Sequence, residues 1–223
     1  MYIQERILLL GTKRDKGSLP MDVGSKINLN IAGAILMELA LLDRIDIRKK
    51  KLTVKNSEPT GTGIFDDALQ KMMKAKKERK AKYWVEKLAS NRLLDETYAT
   101  LTEKGILRNE SYRFIGLFPV RRYPIEKSSE VELLREEVRE AVFTDDIESV
   151  EDPRTVLLVG LLKTSNLLPK LFSREERKEA KKRVKEIMNS QVVSKSVSEA
   201  VQAVDSAVIA AVGAASVASS SSS

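Results

Sequence analysis

Residues 31–42, IAGAILMELALL, carry one charge, Glu38, in twelve positions. A helix on the surface of a domain shows a polar face at every turn, whereas a run that is apolar nearly all round reads as a helix buried on most sides. Such a helix has to be walled in by other elements, so the rest of the chain is expected to wrap around it. Directly after it, residues 44–47 and 52–54 alternate in polarity across a basic break at 48–51, which predicts a small β-hairpin.

A similar order recurs further on. Residues 94–104 have apolar positions at helical spacing, Gly105 supplies a left-handed stop, and 106–108 lead through a polar turn to FIGLF at 114–118, predicted as the second strand of another hairpin. Between the two units, PTGTG at 59–63 reads as a loop, and Asp66 and Asp67 fall in the first turn of the next helix, opposite the positive end of its dipole. Further helices are predicted over 83–88, 130–143, 152–164, 174–188 and 193–215, with Ser129, Asp152 and Ser173 as caps for the first three after Pro124. No long Pro/Gly-rich linker divides the chain, so the expected architecture is mainly α: a single globular helical domain over 1–217 with small β-hairpins. Residues 207–218 are about a dozen weakly polar positions against the roughly 20 that span a bilayer, and read as a buried helix. The polyserine end, in a tail from 218 to 223, is expected to be disordered.

The chain contains no cysteine and no histidine, which removes thiol nucleophiles, disulfide scaffolds, histidine metal sites and every imidazole-based dyad or triad. No signal peptide is legible at the start, so an intracellular, cytoplasmic location is expected. Thirty-nine Lys and Arg against 32 Asp and Glu give a net charge of +7, which favours an anionic partner, nucleic acid or the negative face of a membrane. Gly61-Thr62-Gly63 lacks the later residues of a phosphate loop and reads as a turn; Asp66-Asp67 and Asp145-Asp146 are adjacent pairs whose side chains diverge, as caps and turns do. Residues 71–82, KMMKAKKERKAK, hold seven cations and only Glu78 against them. They form either a solvated surface or a contact for an anionic bilayer, with Tyr83 and Trp84 immediately after as interface or core aromatics. The sharpest signal is FIGLFPVRRYP at 114–124, in which an apolar hairpin stands beside Arg121 and Arg122. Exposed, it would wedge into the acyl boundary while the guanidiniums hold phosphates; packed inward, it is an ordinary strand.

Taken together, IAGAILMELALLDRI at 31–45, Pro59-Thr60-Gly61 leading to FDDAL at 65–69, TEKGIL at 102–107 and the hairpin to Pro124 resemble the Golgi phosphoprotein 3 family along roughly residues 3–215. GLFPVRRYP at 116–124, Asp152-Pro153-Arg154-Thr155 and the Ala/Val-rich last helix look most like its bacterial-type branch. The resemblance implies a non-enzymatic peripheral membrane protein of the cytosolic Golgi face that binds phosphatidylinositol 4-phosphate as a membrane-docking adaptor, with no cofactor or metal. At the positions that match the family's head-group pocket this chain has Val23, Ala32, Asn91 and Leu94; the nearest cations are Arg92 and Lys26. The candidate head-group residues are therefore Arg92, Arg121 and Arg122. The membrane-inserting hairpin carries over as Phe114, Ile115, Leu117 and Phe118, which the resemblance also links to self-association. Under the same resemblance, a sequence beginning at the fold lacks the basic extension that precedes the domain in eukaryotic members. Two other readings compete: a winged-helix-like nucleic-acid-binding protein, whose reading helix 94–104 offers mostly Thr, Asp and Glu, and a homo-oligomeric scaffold with the Phe114 edge between subunits.

Overall fold

A computed structural model describes residues 1–114, 118–146, 149–150, 152–189 and 199–220, with the backbone alone over 111–114, 118–120 and 219–220. In chain order the elements are α1 (Ile3–Gly11), α2 (Met21–Leu41), β1 (Ile45–Arg48), β2 (Lys51–Val54), α3 (Gly63–Met73), α4 (Ala81–Leu88), α5 (Asn91–Glu103), β3 (Glu110–Phe114), β4 (Phe118–Arg122), α6 (Ser128–Phe143), α7 (Pro153–Thr164), α8 (Leu168–Leu171), α9 (Arg177–Asn189) and α10 (Glu199–Ser220). The fold is mainly α, with two separate antiparallel hairpins, β1–β2 and β3–β4.

The all-round apolar run becomes the second half of α2, and α2 is the central element. Ile27, Ile31, Ile35, Leu36, Met37 and Leu39 are fully buried, each contributing about 1.5–3 kcal/mol relative to exposure. Helices α1, α4, α5, α7 and α10 pack against it. Gly33 lets α10 approach closely, since a Cβ there would lie 2.1 Å from Val208 Cγ2.

Both helix-to-hairpin junctions use the same device. The Arg44 N–H donates to Leu39 O at 2.8 Å after Asp43 turns left-handed at φ 56°, and the Ile106 N–H donates to Leu101 O at 3.0 Å after Gly105 at φ 64°. These are Schellman-type ends, in which one left-handed residue lets the chain reverse and satisfy a terminal carbonyl. The two units are therefore alike in geometry as well as in order, although one has Asp where the other has Gly.

Several expectations need correction. FIGLF at 114–118 is not one strand: β3 ends at Phe114 and β4 begins at Phe118, paired to each other, with Ile115, Gly116 and Leu117 outside the described residues. The 106–108 segment contributes only a bridge, Leu107 to Ile125. Helix α1 was not legible, and α2 starts ten residues before its apolar run. The last helix is buried only as far as Val212. Val204, Val208, Ala211 and Val212 are inside, whereas residues 213–218 are exposed, and the helix continues through Ser220 into the stretch expected to be disordered. Within α10, Glu199–Ala218 is long and apolar enough to cross a membrane by length and composition, although its buried part packs on α2 and α4. Residues 190–198 and 221–223 lie outside the described residues.

Candidate functional site

The β3–β4 ribbon pairs from Glu110 with Arg122 to Phe114 with Phe118. It is tied to the body at its base. The Tyr123 N–H donates to Gly17 O at 2.7 Å, the Arg108 N–H to Pro124 O at 2.9 Å, and the Tyr123 ring stacks on Tyr98 at 3.8 Å, nearly parallel. Burial, opposed by a hydrogen bond with Thr12, pushes the Tyr98 phenol up to about 12. Beyond that base, among the described residues, each strand's main neighbour is the other strand. A lone two-stranded ribbon is marginal in water, and the apolar FIGLF sequence spans the end of β3 and the start of β4.

The candidate cations sit beside this ribbon in an acidic setting. Arg92 Nε lies 2.6 Å from Glu96 and its Nη2 2.5 Å from Asp67; the hydrogen bond to Glu96 and the charges of both carboxylates push its pKa up. Arg121 lies 3.6 Å from Asp95 on the same helix. The structure thus brings Arg92 and Arg121 together along α5 but surrounds them with carboxylates, and Arg122 also has an interaction partner. At the family's pocket positions, Val23 and Ala32 are fully buried in α2, Leu94 is partly buried, and the Asn91 Oδ1 accepts from Asn28 Nδ2 at 3.0 Å. The Asn28 Oδ1 beside them is buried without a partner among the described residues. An unpaired acceptor oxygen repels phosphate oxygens rather than holding them.

The remaining sequence signals resolve simply. The loop before α3 is a turn in which the Asp66 carboxylate accepts from the Thr60 N–H and hydroxyl, both at 2.7 Å. Trp84 is a core residue, whereas Tyr83 is exposed under the Arg79 guanidinium, 5.0 Å from its ring centre. The basic stretch 71–82 is no single helix face: it ends α3, turns, and opens α4, and the Leu52 N–H donates to Arg79 O at 2.9 Å, joining it to the β1–β2 hairpin.

One cluster was not anticipated. Glu38, fully buried, accepts from the Ile3 N–H at 2.9 Å and from Arg154 Nε at 3.0 and 3.1 Å. Buried Glu5 accepts from Lys104 Nζ at 2.7 Å, and Arg6 bridges Glu137 and Asp152, both at 2.8 Å, with Thr155 bonded to Glu137. Burial pulls the Arg154 pKa down, but the hydrogen bond and charge of Glu38 outweigh it and leave it raised. Tyr2 lies beneath Arg154 and Lys104, each 5.7 Å from its ring centre. Every cation here has a carboxylate of its own, so the cluster clamps α1, α2, α5, α6 and α7 together; Tyr2, Arg6, Lys104, Asp152 and Arg154 also line an open hollow of about 430 Å³.

Glu38, Lys104, Asp152, Arg154 and Thr155 all come from motifs quoted above: the central helix, the TEKGIL helix end and DPRT. A family model described as Golgi phosphoprotein 3 (GPP34) matches residues 3–204. The chain belongs to the Golgi phosphoprotein 3 family. Its relatives include Vacuolar protein sorting-associated protein 74 of Eremothecium gossypii, 24% identical over 207 residues, which cover 78% of this chain and 62% of that protein. The chain therefore spans less than two thirds of that relative's length. The buried clamp gives the Golgi phosphoprotein 3 motifs a physical role in this chain, namely to hold five helices in register.

Proposed function

We propose that this member of the Golgi phosphoprotein 3 family is a non-catalytic peripheral membrane protein that docks on anionic phospholipid, on the cytosolic face of a Golgi-type membrane, and serves there as an adaptor. The observation that carries the reading is the β3–β4 ribbon, which is anchored at its base and whose strands pair mainly with each other, with the apolar FIGLF sequence running from the end of β3 to the start of β4. Family membership and the net charge of +7 support it. The finer reading, phosphatidylinositol 4-phosphate, draws on the family. The buried Val23 and Ala32 and the Asn28–Asn91 pair supply no guanidinium at the matching positions, so we favour charge-driven docking over head-group recognition.

The nucleic-acid reading finds little support on α5, whose exposed face carries Asp95 and Glu103, with Arg92 held between Asp67 and Glu96. Vesicle flotation tests the proposal. Binding is expected to phosphatidylserine vesicles, to weaken as salt rises, and to be matched by phosphatidylinositol 4-phosphate vesicles of equal charge. Equal binding to neutral vesicles, or none to either, removes it.

A further inference from the structure

Arg92 and Arg121 are a poor source of the charge that anionic docking needs, because carboxylates already face them. The unpaired cations lie elsewhere. An open groove of about 560 Å³ runs between the β1–β2 turn, the start of α4 and the side of α10. Lys49, Lys50, Lys80 and Lys82 line one wall, and Ala203 and Ala207 the other. Glu199, in the first turn of α10, is the one carboxylate on its lining among the described residues. Lys82 has a long surface pair with Glu86 at 3.7 Å. Among the described residues Arg48, Lys49, Lys50, Lys51 and Lys80 have no carboxylate within ion-pair distance.

We infer that this groove is a second contact for an anionic lipid surface and that it supplies most of the salt-sensitive part of docking; the inference rests on the membrane reading above. Three features carry it. First, the arrangement repels itself: Lys80 and Lys82 stand at the positive end of α4, whose first turn has no acidic residue, where a helix favours anions. Second, the two-residue turn between Arg48 and Lys51 holds Lys49 at φ 49° and Lys50 at φ 62°. Tight hairpins reserve that conformation for Asn-Gly, yet here both positions are spent on lysines that face outward. Third, the basic edge is bordered by exposed apolar side chains: Met73 is 54% and Tyr83 39% exposed, at the two ends of the 74–82 segment. Cations beside an exposed aromatic and a methionine suit a lipid interface. The groove lies toward the C-terminal end of α2, a 21-residue helix, about 30 Å long, and Asn91, next to Arg92, pairs with Asn28 in its first half. The two contacts are therefore separate patches.

The test uses the full chain and vesicles of phosphatidylserine in phosphatidylcholine. The variant Lys49→Asn/Lys50→Gly removes two charges while installing the pair the turn prefers, so its thermal midpoint should hold or rise. Each lysine near an anionic surface is worth about a fivefold change in affinity, so vesicle binding should weaken about 25-fold and the salt dependence should flatten. Leu117→Ser, between β3 and β4 in the sequence, should weaken binding without flattening the salt dependence. Unchanged vesicle binding by the turn variant, with the parent protein bound, overturns this inference and leaves the ribbon reading standing. No binding by the parent protein overturns both. Retention of duplex DNA by the parent, lost in the turn variant while vesicle binding is unaffected, overturns the choice of lipid.

Discussion

Replacing Arg154 by Met leaves the Glu38 carboxylate fully buried with the Ile3 N–H as its one remaining hydrogen-bond donor of the two seen here. Methionine keeps much of the stem volume, so the change is mainly electrical. Breaking a buried ion pair by removing one partner costs about 3–5 kcal/mol, because the survivor's charge stays desolvated. Arg154 is 29% exposed, so water can reach the vacated side, and the lower end, about 3 kcal/mol, is expected. For a chain of this size each kcal/mol moves the thermal midpoint by about 2–4 °C, giving a fall of roughly 6–12 °C. Urea and heat unfolding followed by circular dichroism give the number directly. The double variant Glu38→Met/Arg154→Met removes both charges and should recover part of the loss, since paired removal of buried ions is often close to neutral. A loss under about 1 kcal/mol for Arg154→Met, the range of a surface pair, or strictly additive single and double effects would refute the idea that a buried charge clamp holds the helices.

Two further substitutions probe the packing around α10. Burial alone pushes the Asp205 carboxyl up from 3.8 to about 6, so the fold binds this proton more tightly than the unfolded chain does. The stability linked to it is fully present below about pH 4 and is lost as pH rises through about 6. Asp205→Asn should therefore stabilise the protein by on the order of 2 kcal/mol at pH 7.5 and little at pH 4, measured as a difference in urea midpoints; an equal effect at both pH values contradicts the stated cause. Gly33→Ala places a methyl 2.1 Å from Val208 Cγ2 and should cost about 1–3 kcal/mol by overpacking. A neutral result in thermal unfolding would mean that α10 does not press on α2 as described.

The sequence revealed α2 because twelve nearly uncharged positions allow few alternatives, and it revealed both hairpins because their helix ends carry turn chemistry. It misplaced the strands of the second hairpin: FIGLF scores as a strand by composition, but β3 and β4 lie on either side of its centre, drawing on polar residues such as Glu110 and Arg122. It missed α1 because Gln4 and Glu5 look like a polar face. They are buried instead, and Glu5 is tolerated there through Lys104, 99 positions away. The candidate cations were legible as residues but not as neighbours. Nothing local in SNRLLDE at 90–96 shows that Asp67 reaches Arg92 across 25 positions or that Asp95 meets Arg121. The basic groove was half visible: residues 71–82 stand out, whereas the 48–51 break looked like a mere turn until Leu52 and Arg79 joined the two.

The absence of cysteine from the chain makes the most direct measurement simple. Leu117→Cys gives a single thiol between β3 and β4 in the sequence for an environment-sensitive fluorophore. Addition of phosphatidylserine vesicles should shift its emission to the blue and protect it from an aqueous quencher, while phosphatidylcholine vesicles leave it unchanged. A fluorophore that stays in water while the protein is bound to the vesicles would contradict docking through the ribbon.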